Sequence, residues 1–249
     1  LIIIKSEDEI KIMREAGFHV CEILNILVSS SVPGVSTFEL DQIAKQELDK
    51  RNLKSPFIGY HGYPSYLCTS INDAIVHGIP HKKVLLREGD ILSLDFGVIY
   101  KGYVADSART IPIGRISDLA DRLIKTTEVS LQKAIECCTV GGRIWDIGKV
   151  VSSFAESYGY SIVRDFVGHG IGRKMHELPQ VPNYFSQESS LRMKKGLVIA
   201  IEPMVNVGGP GVRLLKDGWT AKTMDGSLSA HFEDTIAITE NGPWVLTKN

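Results

Sequence analysis

Apolar periodicity changes twice along this 249-residue chain, from helical to strand-like, and in the same order each time. Ser6 and Glu9 form a capping box ahead of Ile10, Met13, Gly17, Val20, Leu24 and Leu27, whose alternating three- and four-residue spacing marks one face of a helix. After the break at Pro33-Gly34, Ser36 and Glu39 open a second helix that is expected to run to about Arg51. Strand-like stretches follow at 66–71, 91–100 and 103–111, the last two joined by Lys101-Gly102 as a hairpin. Helical spacing returns at 119–138 and 145–157, each stretch stopping near glycines, Gly141-Gly142 and Gly159. Strand patterns then recur at 162–166, 197–201, 219–224, 231–239 and 244–247, with Asp225-Gly226 and Asn241-Gly242 as expected hairpin turns. Helix, helix, strands, repeated, predicts an α+β fold of two pseudo-symmetric halves, about 1–115 and 116–249, around one antiparallel sheet. No Ser/Gly-rich linker separates the halves, so a single domain over 1–249 is expected.

Composition removes several function classes. Lysine and arginine number 28 against 29 acidic residues, a net charge of −1, so the basic excess of a nucleic-acid binder is missing. The longest apolar run, Leu197 to Ile201, is far short of the roughly 20 residues that span a bilayer. The apolar start Leu1-Ile2-Ile3-Ile4 is too short for a secretory signal, and four cysteines without CxxC spacing suit a reducing compartment. A cytoplasmic protein is expected.

Candidate chemistry begins at Asp95, an acid inside an apolar strand. If Lys101-Gly102 is a two-residue turn, Gly97 pairs with Asp106 and Asp95 with Ala108, which puts Asp95 and Asp106 on one face as diagonal neighbours. Taken alone, that pair is equally compatible with two solvated acids. Three further features are suggestive: His169 between Gly168 and Gly170, which leave space for a metal or substrate; Glu202 at the end of the run 198–201; and Glu233 in the strand pattern 231–239. Four carboxylates balance two doubly charged cations, and one imidazole completes a plausible ligand set.

With the motifs Pro33-Gly34-Val35-Ser36-Thr37, Gly59-Tyr60-His61-Gly62-Tyr63-Pro64, Ser70-Ile71-Asn72, Val76-His77-Gly78-Ile79-Pro80 and Ile201-Glu202-Pro203-Met204, the chain resembles the methionine aminopeptidases over essentially its whole length. The 31-residue gap between Glu202 and Glu233 leaves no room for the helical insertion of the second type, so the resemblance is to the short, bacterial-like type I. It implies the pita-bread fold and removal of the initiator methionine from nascent chains when the second residue is small. It implies two divalent metal ions, Co, Mn, Fe or Zn, held by Asp95, Asp106, His169, Glu202 and Glu233, and a monovalent cation near Asn72 and Ser229. Glu202 is then the general base, His176 the donor to the carbonyl oxygen, and His77 the contact to the substrate amide. The methionine pocket is implied at Phe57, Tyr60, Tyr63, Cys68, Met175 and Trp219, although ordinary core packing is the better reading of Cys68 and Met175 without the resemblance. The expected partner is the N-terminus of a nascent polypeptide at the ribosome, met by a monomer that binds neither nucleic acid nor membrane.

Two positions depart from the family pattern: His231 stands where glutamine is common, and Met175 where phenylalanine often stands. Four other readings are weaker. A non-enzymatic relative would be free to lose the site residues, yet all are intact. A proline-specific peptidase of the same superfamily carries a large N-terminal domain, and 94 residues precede Asp95. His176-Glu177 lacks the second histidine of a zincin, and no G-x-S-x-G occurs.

Overall fold

Both capping boxes form. In the computed structural model, which describes residues 1–189 and 191–248, Ser6 Oγ accepts from the Glu9 amide while the Glu9 carboxylate accepts from the Ser6 amide. They start α1 (Glu7–Ser30), and Ser36 with Glu39 repeats the arrangement at α2 (Thr37–Lys50). The second helix pair is α3 (Asp118–Glu136) and α4 (Ile144–Ser157).

The strands are β1 (Cys68–Ile71), β2 (Ala74–Val76), β3 (Ile91–Tyr100), β4 (Tyr103–Pro112), β5 (Ser161–Ile162), β6 (Gly168–Gly170) and β7 (Glu177–Val181). They continue with β8 (Val198–Ile201), β9 (Met204–Asn206), β10 (Val212–Leu214), β11 (Ala221–Thr223), β12 (Ser229–His231), β13 (Glu233–Thr239) and β14 (Gly242–Val245). Among the described residues they make a central antiparallel sheet in the order β1-β3-β4-β13-β8-β6-β7, with β14 also on β13, and two three-stranded sheets, β10-β11-β2 and β12-β9-β5. The fold is the predicted α+β, pita-bread architecture.

Each helix pair covers mainly the strands of its own half, and Ile10 and Met13 of α1 reach across to Val198 of β8 and Ala237 of β13. The apolar face of α1 and α2 packs on Leu92, Leu94, Phe96 and Val98 of β3, whereas α3 and α4 pack on Ile199 and Ile201 of β8 and Ile236 and Ile238 of β13. Period-2 alternation therefore turns Asp95 to the face away from the helices. The halves meet where β4 pairs with β13, Glu233 opposite Ala108 and Asp234 opposite Ser107.

Several expected elements differ. The stretch 231–239 is not one strand: it breaks at Phe232, whose amide bonds to the Pro203 carbonyl, so that β12 and β13 enter different sheets. The last hairpin turns at Glu240 and Asn241, one residue before the expected Asn241-Gly242, because Thr239 pairs with Gly242. Asp225-Gly226 is a turn but joins no hairpin, since β11 and β12 also lie in different sheets. There Asp225 accepts from the amides of Gly209 and Ser227.

Candidate active site

The hairpin register places the first two acids. Asp95 stands opposite Ala108, and Gly97 opposite Asp106, as a two-residue turn at Lys101-Gly102 requires. Glu233 stands on the other side of Ala108, so the short alanine side chain leaves space between Asp95 and Glu233 in one row across three strands. Glu202 and Glu233 owe their exposure to the cavity to a shared interruption. Strands β8 and β9 run beside β13 and β12, with Asp234 opposite Ile201 and Met204 opposite His231, but pairing lapses between these points. Pro203 has no amide proton to contribute to a ladder, and the lapse falls at that residue.

His169 sits on β6 between β7 and β8. Its Nδ1 donates to the Gly170 carbonyl at 2.9 Å, which leaves Nε2 to face the acids. From Nε2 the distances are 3.5 Å to Glu202, 3.7 Å to Asp106 and 4.0 Å to Glu233. One donor atom from each of Asp106, His169 and Glu233 falls within 4.8 Å of the others. The flanking glycines serve a purpose other than the expected access for a ligand. A Cβ on Gly168 would lie 2.4 Å from the Ala200 carbonyl oxygen, and one on Gly170 would lie 2.2 Å from that of Leu178, so the space lets neighbouring strands close in.

All thirteen candidate residues border one cavity of about 570 Å³ including its open mouth, and none of its lining residues is Lys or Arg. Burial pushes the carboxyls of Asp95, Glu202 and Glu233 well above the usual carboxylate range, reinforced by their mutual repulsion, and raises Asp106 to about 6. The same burial takes His77, His169 and His176 down to about 4. Acidic groups gathered in a cavity that no cationic side chain lines are suited to divalent cations, which the donor set of four carboxylates and an imidazole accommodates.

Beside the acids lies an apolar wall. Phe57, Tyr63 and Cys68 are buried together, with Met175 and Trp219 packed against them. The Tyr63 ring meets Trp219 edge-on at 5.1 Å while its hydroxyl turns away to the carbonyls of Leu67 and Gly78. The loop carrying Phe57 can lie on β3 because Gly97 has no side chain: a Cβ there would be 2.7 Å from Pro56 and 3.1 Å from Phe57. His77 adopts a left-handed backbone, φ 59°, and its ring stands edge-on to Phe166 and Trp219. Tyr60 Oη lies 2.6 Å from His176 Nδ1.

His231 is buried beside Glu202, 3.9 Å from its carboxylate, and neither ring nitrogen has a hydrogen-bond partner. Sequence alternation put it on the same strand face as Glu233, but the break at Phe232 removes that relation. Some supporting residues escaped the sequence reading. The Thr235 hydroxyl bonds Asp106 at both its carbonyl and its carboxylate, Asn183 holds the Glu202 carbonyl, and Arg109 bonds the Glu233 carbonyl while pairing with Asp234. Thr235 had a signal, two positions past Glu233 on the same strand face; Asn183, in an irregular stretch, had none.

The model of metallopeptidase family M24 matches residues 11–240. The methionine aminopeptidase of Clostridium acetobutylicum is 49% identical over 247 residues, covering 99% of both chains. The crystal structure of the methionine aminopeptidase from Thermotoga maritima superposes with a TM-score of 0.97 at 40% identity over the full length of both. The prolidase of Pyrococcus furiosus, 24% identical, shares the fold at a TM-score of 0.77, with this chain covering 66% of it. The chain therefore belongs to metallopeptidase family M24, on its methionine aminopeptidase branch.

Proposed function

We propose that this protein removes the N-terminal methionine from nascent polypeptides whose second residue is small, using two divalent metal ions held by Asp95, Asp106, His169, Glu202 and Glu233. The observation that carries the reading is the convergence of Asp95, Asp106, Glu202, Glu233 and the His169 imidazole on one cavity that no Lys or Arg side chain lines, beside a soft apolar wall. Bound there, divalent ions supply Lewis acidity and a water acidic enough to attack a carbonyl near neutral pH. Glu202 takes the proton of the attacking water and returns it to the leaving amine. His176 donates to the carbonyl oxygen as negative charge grows on it, and His77 contacts the amide of the scissile bond. Phe57, Tyr60, Tyr63, Cys68, Met175 and Trp219 receive the methionine side chain, whose thioether suits aromatic and sulfur-bearing surroundings. Selection for a small second residue is supported by the rings that crowd His77 at the cavity, Phe166 and Trp219.

The same reading assigns a monovalent cation to the neighbourhood of Asn72 and Ser229, supported by the buried, unpartnered Ser229 hydroxyl. It makes residues 1–249 one catalytic domain acting as a monomer in the cytoplasm. Among the described residues no helix is long and apolar enough to cross a membrane.

The test is hydrolysis of Met-Ala-Ser by metal-stripped protein with Mn, Fe, Co or Zn restored singly, with Met-Leu-Ser and Ala-Pro-Ser as controls. Release of methionine from Met-Ala-Ser alone, lost in Asp106→Ala and Glu202→Ala, is the expected result. Cleavage of Ala-Pro-Ser instead, or full activity in either variant, would overturn the assignment.

A further inference from the structure

Tyr60 forms part of the pocket wall, yet its hydroxyl is spent on His176, which is 116 residues away in sequence, at 2.6 Å from Nδ1. We propose that Tyr60 is a positioning residue that fixes the tautomer of His176, its hydroxyl donating to Nδ1 so that the ring carries its proton on Nε2. The inference rests on the reading of His176 as the donor to the substrate carbonyl and adds what makes the ring a donor.

The direction of the bond follows from the two groups. A neutral imidazole nitrogen is a much stronger base than a phenol oxygen, and a phenol is a much stronger acid than a neutral imidazole N–H, so the proton sits on oxygen and points at nitrogen. In the reverse arrangement Nδ1 would donate to the phenol and Nε2 would be a bare lone pair, unable to stabilise a developing oxyanion. Burial pushes the phenol up, so its oxygen keeps the proton.

The hydroxyl is delivered by a loop with little freedom. Gly59, His61 and Gly62 all have positive φ, at 81°, 45° and 87°, and the turn closes on itself through the Gly59 amide to the Tyr63 carbonyl and the Tyr63 amide to the Tyr60 carbonyl. The His176 ring is confined as well, lying between the Tyr60 ring at 5.3 Å and the His169 ring at 4.3 Å, the latter nearly perpendicular. One side chain thus limits the methionine pocket and holds the imidazole that the scissile carbonyl meets.

Tyr60→Phe separates the two roles, because it keeps the ring and removes the hydroxyl. Histidine-labelled protein, metal-free and zinc-loaded, is compared with the variant by long-range ¹H–¹⁵N spectra, which report which ring nitrogen carries the proton. The wild-type His176 is expected in the Nε2–H form, with Tyr60→Phe moving it to a mixture or to Nδ1–H. On Met-Ala-Ser the variant should lose about tenfold in kcat, the rate equivalent of one hydrogen bond, with KM within about twofold. Tyr60→Leu, which also opens the wall, should raise KM as well. An Nδ1–H wild-type ring, or a His176 tautomer unchanged in Tyr60→Phe, overturns the proposal. A tautomer shift in Tyr60→Phe with undiminished kcat in His176→Gln would uphold the hydrogen bond's role and overturn instead the reading of His176 as the carbonyl donor.

Discussion

Thr235 shows how closely the acids depend on uncharged neighbours. Its hydroxyl is 3.1 Å from the Asp106 carboxylate and 2.9 Å from the Asp106 carbonyl, and accepts from the Asp106 amide, so one methyl-bearing side chain orients both ends of that residue. Thr235→Val keeps the shape and removes the hydrogen bonds. Supporting partners of this kind are worth about 10–100-fold in metal affinity, so calorimetric titration with Mn should give a dissociation constant at least about tenfold weaker than wild type. Asp234, next in sequence to Glu233 but on the opposite face, joins Arg109, Thr247 and Ser107 instead. Adjacent acids thus divide between the cavity and the structure behind it, and strand alternation alone separates them.

At the scale of elements, loops set the shape of the pocket and strands set the positions of the acids. Gly97→Ala would drive a methyl group into Pro56 and Phe57, displacing the pocket loop while leaving Asp95 two residues away on the same strand. A several-fold rise in KM for Met-Ala-Ser with unchanged Mn affinity is the expected result, read from steady-state kinetics beside calorimetry. The turn at Asp225 offers a pH-dependent measure. Hydrogen bonds to Ser227 and the Gly209 amide hold its carboxyl down to about 2, below the usual aspartate value of 3.8. A lowered folded-state pKa gives stability that is fully present above the unfolded value and disappears as pH falls through the folded one. The melting-temperature gap between wild type and Asp225→Asn should therefore be constant above about pH 5 and close between about pH 4 and pH 2.

The elements that sequence made legible were those with local, redundant signals. Capping boxes at Ser6 and Ser36 marked helix starts, and the Lys101-Gly102 turn set the full register of β3 and β4, hence the relation of Asp95 to Asp106. Strands such as β2, β6, β9 and β10 span three residues each, too few for a period of two to show. The break at Phe232 was hidden because its cause lies in another segment: the ribbon changes sheets where Pro203 interrupts the partner strand. His231 was misplaced for the same reason. The site residues drawn from family resemblance come together in one cavity, whereas Asn183 and Arg109 act through backbone carbonyls that no sequence pattern records.

At the scale of the whole molecule, the site draws on both halves: Asp95 and Asp106 come from the first, His169, Glu202 and Glu233 from the second. Acids held together at this seam are costly to ionise unless cations offset them. Chelation should accordingly lower the melting temperature, and restoring Mn should raise it, by about 4 kcal/mol of stability at a thousandfold excess over the dissociation constant. Asp106→Ala, with one charge fewer and a damaged site, should respond far less, as scanning calorimetry of the stripped and reloaded proteins would reveal.

Strand β13, the last long strand of the chain, lies in the middle of the central sheet, between β4 and β8. During synthesis the ribosome delivers the β3–β4 hairpin first, with its inner edge open, and β8 follows without its partner. Neither gap closes until residues 233–239 emerge, so both helix pairs and all the other strands of the central sheet except β14 must be made before its middle can zip shut. Until then those bare edges are available to other nascent chains, which makes this a protein whose yield should depend on how long translation pauses, and on the chaperones waiting outside the exit tunnel.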